Sequence, residues 1–194
     1  MSTGTRDSFA PPRRWFYAAV AFQLLLMAGL ILSKQATLWT GRPVVLETVP
    51  VDPRDLFRGD YVVLSYKISA LDPVQVSLPP RVERGQSVYV SLRRPDPPDR
   101  FWTASAVSLE KPTDGATTFL RGRALEAYPG GRAPDFRPAD RLRLEYGIES
   151  YFVPEGKGRD LESVQADPNA VLAVEAVVDR SGSAVIRRVS RERR

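Results

Sequence analysis

Three groups of residues in this chain carry side chains capable of chemistry. The first is a charged knot at 52–60, DPRDLFRGD, where Asp52, Asp55 and Asp60 alternate with Arg54 and Arg58 around Pro53 and Gly59. Three carboxylates so close together can gather a hard cation such as Ca²⁺, which takes about six to eight oxygens. A guanidinium competes for those same oxygens in bidentate pairs, so an ion-paired turn that fixes the strand after it is the reading the residue types favour. The second group is Tyr61, Tyr66, Tyr146 and Tyr151. A tyrosine on a strand usually half-buries its ring and sends its hydroxyl to a partner; the functional alternative is a groove lined by Tyr61 and Tyr151. The third is Glu149, Glu155 and Lys157 within YGIESYFVPEGKG, a Gly/Pro-punctuated stretch of the kind that carries binding function. Paired carboxylates at a suitable separation run glycoside hydrolysis, but nothing in the sequence brings these two together. Gly156 and Gly158 do not form a phosphate loop, because GKG lacks the GxxxxGK[ST] frame.

The residues that are missing restrict the chemistry further. The chain of 194 residues has no Cys and no His, which removes thiolate nucleophiles, disulfides, ordinary zinc sites and Ser-His-Asp catalysis. Four lysines remain for Ser/Lys chemistry, with Ser33 beside Lys34 and Ser65 two residues before Lys67. One N-terminal anchor before a β-rich outer domain resembles the layout of bacterial type I signal peptidases, yet neither serine stands in an SMxPT-like context. The net charge of +5 comes from a basic set in which 24 of 28 residues are Arg. Acidic residues are threaded through them, so no stripe forms a phosphate footprint and nucleic acid is not an expected partner. No cofactor or metal is expected.

These groups need elements to position them. Residues 15–32, WFYAAVAFQLLLMAGLIL, hold no charge. Eighteen helical residues cover roughly 27 Å, enough to cross a hydrocarbon core of about 30 Å. Trp15, Phe16 and Tyr17 at one end and Trp39 beyond the other suit an aromatic belt. Arg6, Arg13 and Arg14 precede the span while Lys34 and Arg42 follow it, a modest bias for the N-terminus inside and the remainder outside the cytoplasm. LSKQATLW offers no small-x-small cleavage site, so an uncleaved signal anchor is expected rather than a removed signal peptide. The organisation is then a cytoplasmic tail over 1–14, a transmembrane helix over 15–32, a linker over 33–42, an extracytoplasmic β-domain over 43–190 and a basic tail over 191–194.

Within the outer domain, β-rich runs fall at 43–49, 61–69, 86–92, 101–109, 117–128, 141–146, 170–178 and 184–189, separated by Pro, Gly and Asp turns. Val62, Leu64, Tyr66 and Ile68 fall on one face of their strand, with Tyr61, Val63, Ser65 and Lys67 on the other. RLRLEY alternates the same way, and DRSG at 179–182 joins two runs as a hairpin. Only 158–166 looks helical, ended by Asp167-Pro168. The expected fold is mainly β: an antiparallel sandwich or partly closed barrel with one short helix, behind a single N-terminal transmembrane helix.

GDYVVLSY at 59–66 resembles the signature of the GDYXXLXY family, with matches at Gly59, Asp60, Tyr61, Leu64 and Tyr66. VDPRDLFRGDYV upstream, FLRGRA at 119–124 and LEYGIESYFVPEGKG at 144–158 are also similar to that family's pattern, and the likeness covers essentially the whole chain. It implies a bacterial membrane-anchored protein and supplies no catalytic residue to carry over. Genes of the family often lie near those of polytopic membrane proteins. The partners it implies are therefore the lipid bilayer and a polytopic membrane protein. Asp55, Arg58, Gly59, Asp60, Tyr61, Leu64, Tyr66, Tyr146, Tyr151, Glu155 and Lys157 form the candidate binding or structural set. Three roles follow: a non-catalytic accessory protein, a small-ligand binder with its ligand unknown, or a tethered Ser/Lys hydrolase.

Overall fold

A computed structural model describes residues 13–49, 61–130, 141–152 and 170–193. The chain divides into two units, 1–36 and 37–194. Helix α1, Arg13–Thr40, begins in the first. Its stretch Arg13–Leu32 is apolar on every side and none of it is buried within the chain. Twenty residues at 1.5 Å each reach about 30 Å. The helix continues over residues that read as a linker, because 33–40 contains no Gly or Pro. It stops at Thr40, before Gly41, and Pro43 then disfavours helical backbone at the residue preceding it.

The second unit is built of antiparallel sheets. One has the order β11-β10-β1-β3, formed by Ala184–Arg193, Ala170–Val178, Arg42–Val49 and Ser65–Tyr66. The other has the order β4-β8-β7-β5-β6, formed by Ala70–Leu71, Leu142–Glu145, Thr118–Ala124, Ser87–Arg93 and Thr103–Ser108. A short pair joins β2, Tyr61–Val63, to β9, Ser150–Phe152. Alternation builds the core. Val44 and Leu46 of β1, Leu172 and Val174 of β10, Val88 and Val90 of β5 and Leu142 and Leu144 of β8 all enter one apolar cluster. The sheets therefore face each other as a sandwich, without closing into a barrel. Two backbone bonds tie them together: Trp102 N–H donates to the Val45 carbonyl at 2.8 Å, and Arg121 N–H to the Gly182 carbonyl at 2.8 Å.

Four sequence expectations change in detail. The run 61–69 is not one strand: β2 pairs with β9, β3 pairs with β1, and Lys67–Ser69 forms a 3₁₀ turn before β4 joins β8. A period-two pattern records which face is buried, and it survives this change of partner without revealing it. Strand β9 was hidden in a Gly/Pro-punctuated stretch. The run 117–128 ends as a strand at Ala124, and Tyr128 beyond it forms an isolated bridge to Val82. The basic tail is strand to Arg193, since β11 pairs with β10 as far as Ala170↔Arg193 and Glu192 holds an ion pair to Arg100 at 2.8 Å. The helix expected over 158–166 lies outside the described residues.

Leu64 stands where the first run changes partner and is 1% exposed. Leu64→Ala should lower unfolding free energy by about 2–5 kcal/mol, and Leu64→Met by less than about 1.5 kcal/mol. Denaturant titration of the purified full chain in detergent, followed by circular dichroism, measures both.

Candidate functional site

The segment 61–71 runs antiparallel to 142–152. Tyr61 pairs with Phe152 at one end and Leu71 with Leu142 at the other, so the register is the same at both ends. Between them the ladder opens. Ser65 and Tyr66 turn away to pair with Val49 and Thr48 of β1, which carries the chain from one sheet to the next. On the facing side, the chain bends at Gly147. Gly147 has φ +79, a conformation that disfavours any side chain. Glu149 holds this bend, its carboxylate accepting from Tyr146 N–H at 2.5 Å and Gly147 N–H at 2.8 Å.

An opened ladder leaves backbone carbonyls inside the core, where an unmet acceptor is costly. Two tyrosines meet them reciprocally. Tyr66 Oη donates to the Ile148 carbonyl at 2.5 Å, and Tyr146 Oη donates to the Ile68 carbonyl at 2.6 Å. Each segment thus lends a phenol to the other. The rings are 1% and 7% exposed, and both lie in the core cluster beside Leu64, Ile68 and Ile148. Burial pushes both phenols well above the ordinary tyrosine value, and the nearby Glu149 carboxylate adds to the shift. The hydroxyls are therefore neutral donors at any physiological pH. Gly122 of β7 completes the arrangement: a Cβ there would come within 3.1 Å of Tyr146 Cε1, so the absent side chain makes room for the ring.

Leu64, Tyr66 and Tyr146 thus meet in one buried brace. Tyr151 is half-buried and packs against the same core. The register sets Tyr61 opposite Phe152 and Tyr151 opposite Val62, so these two tyrosines are not cross-strand partners. Asp52, Arg54, Asp55, Arg58, Gly59, Asp60, Glu155 and Lys157 lie outside the described residues. Sequence reasoning missed the capping role of Glu149, although an acid three residues after Tyr146 with a Gly between them is its signal. It also missed Gly122, whose partner is distant in the chain and left no local sign. No cluster of His, Cys, Asp or Glu able to hold a metal occurs among the described residues.

An unburied apolar helix at the N-terminus and an antiparallel β-domain pinned by crossed tyrosines define the class of molecule. The family model for the GDYXXLXY protein matches residues 23–189, and the chain belongs to that family. No curated protein and no solved structure matches it.

The brace makes stability fall in alkali. Above about pH 10 the unfolded chain releases both phenolic protons while the folded chain keeps them. The folded state then binds more protons, so stability is full below that pH and falls as pH rises, by about 1.4 kcal/mol per unit for each tyrosine. Tyr66→Phe and Tyr146→Phe should each cost about 1–3 kcal/mol at pH 8 by leaving a buried carbonyl unmet. The double variant should show the shallower decline between pH 10 and 11.5 in urea titrations.

Proposed function

We propose that this is a single-pass membrane protein with its N-terminus in the cytoplasm and its β-domain outside. Its role is that of a non-catalytic accessory or binding protein acting on a polytopic membrane partner. The observation that carries this reading is the stretch Arg13–Leu32, apolar and unburied, followed in the chain by the last turns of α1 and then by the β-domain. Arg13 and Arg14 at its start favour the inward N-terminus. Tyr66, Tyr146 and Leu64, side chains suggestive of a site, are engaged in holding the β-domain together. A buried phenol that already donates to a carbonyl is poorly placed to act as an acid or nucleophile. That favours a recognition surface over a reaction centre.

A small-ligand binding role is the second reading, favoured by the β2–β9 ladder, which brings the GDYXXLXY strand beside the 150–152 segment. A ligand at that junction should raise the melting temperature of the full chain and lose its effect in Asp60→Asn.

Two measurements test the first reading. A C-terminal alkaline phosphatase fusion should be active and a C-terminal fluorescent protein dark in a Gram-negative host; the reverse pattern overturns the orientation. Crosslinking of the tagged full chain in native membranes should recover one specific polytopic protein at near-equal stoichiometry. Recovery of none, together with hydrolysis of ester, peptide or glycan substrates that is lost in Ser65→Ala, would establish an enzyme instead.

A further inference from the structure

A cleft of about 620 Å³ opens in the β-domain at the start of β1, far in sequence from the tyrosine brace. Its wall includes three cations, Arg42, Lys111 and Arg180, together with threonines, of which Thr117 gives its hydroxyl proton to Asp114. Arg42 is held in place: Nη1 donates to the Ala116 carbonyl at 2.7 Å and Nη2 to the Gly115 carbonyl at 2.9 Å. Five N–H donors leave this guanidinium capacity to spare. No carboxylate among the described residues pairs with Lys111 or Arg180. Asp179 is the acid in the wall, and its Oδ1 already accepts from Ser181 N–H, Ser181 Oγ and Ser183 N–H within the hairpin turn. Three exposed cations around one volume outnumber the single carboxylate in its wall, whose Oδ1 is occupied within the hairpin turn, and this excess of positive charge describes a site for a phosphate-bearing anion.

The chain itself limits which anion meets it first. Arg42 lies ten residues beyond Leu32, the end of the apolar stretch, and ten residues span at most about 35 Å even when fully extended. We propose that this cleft binds the phosphodiester headgroup of an anionic lipid such as phosphatidylglycerol, with Arg42 and Arg180 clamping the phosphate oxygens and Lys111 adding a point charge. The volume exceeds that of a bare phosphate and suits a glycerophosphate head. The lipid as source rests on the membrane anchorage proposed above. The phosphate chemistry does not.

The test uses the full chain in dodecyl maltoside micelles, read by native mass spectrometry during titration with phosphatidylglycerol, phosphatidylcholine or inorganic phosphate. Wild type should retain phosphatidylglycerol in preference to phosphatidylcholine, and millimolar inorganic phosphate should displace it. Lys111→Ala/Arg180→Ala changes exposed residues only and should weaken retention on the order of tenfold, as should Arg180→Glu. Arg84→Ala/Arg94→Ala, exposed arginines outside the cleft, should leave it unchanged. Equal retention by wild type and the cleft variants, or equal retention of the zwitterionic lipid, overturns the proposal. Binding of phosphate without phosphatidylglycerol overturns the lipid assignment. Micelles carry no sidedness, so a failure here is distinct from a failure of the topology fusions.

Discussion

A carbonyl turned into an apolar core must find a donor, and this constraint governs how the β-domain is joined. The chain crosses from one sheet to the other within Ser65–Leu71, and a crossing of that kind cannot keep its ladder intact. The side chains around the break, Tyr66, Ile68, Leu142 and Leu144, are buried, which keeps it away from solvent. The donors must come from side chains long enough to span the gap and apolar enough to fill it. Tyrosine meets both conditions, where Phe lacks the hydroxyl and Ser lacks the reach.

The reciprocity has a mechanical consequence. With Tyr66 reaching Ile148 and Tyr146 reaching Ile68, a shift in either direction breaks both bonds together. The ladder ends at Tyr61↔Phe152 and Leu71↔Leu142 keep a common register across the gap, as that lock requires. Glu149 fixes the bend by two backbone bonds, and Gly122 leaves room for the Tyr146 ring. Three blocks that are far apart in sequence therefore serve one joint.

Much of this was legible beforehand and some was not, for separable reasons. Burial of Leu64, Tyr66 and Ile68 on one face, and of Leu142, Leu144 and Tyr146 on another, follows from period-two alternation, which reports only what faces the core. The partner of each strand is a non-local choice. Nothing local in 61–69 says that it serves β9, β1 and β8 in turn. The final RRVSRERR looks like a solvated tail because its charges suggest water on all sides. As far as Arg193 it belongs to the edge strand β11, where one side faces solvent and Arg side chains also discourage unwanted pairing. The tyrosine hydroxyls were readable as seeking partners, whereas which carbonyls they would find depended on the closed fold.

The joint also bears on where function can reside. Leu64 and Tyr66 of the GDYVVLSY stretch both face inward. A partner protein meets only the outer surface, so side chains that hold the β-domain together cannot also select what binds there. Recognition has to come from exposed features that a packing motif does not encode. The cationic cleft at the start of β1 is one such feature, because three exposed cations gathered around one volume repel one another and bring no advantage to folding. Lys111 and Arg180 remain in solvent and contribute little to the core, so their placement around a common volume is better explained by a ligand than by stability. The interior accounts for the fold, and this surface is where a physical argument about function has purchase.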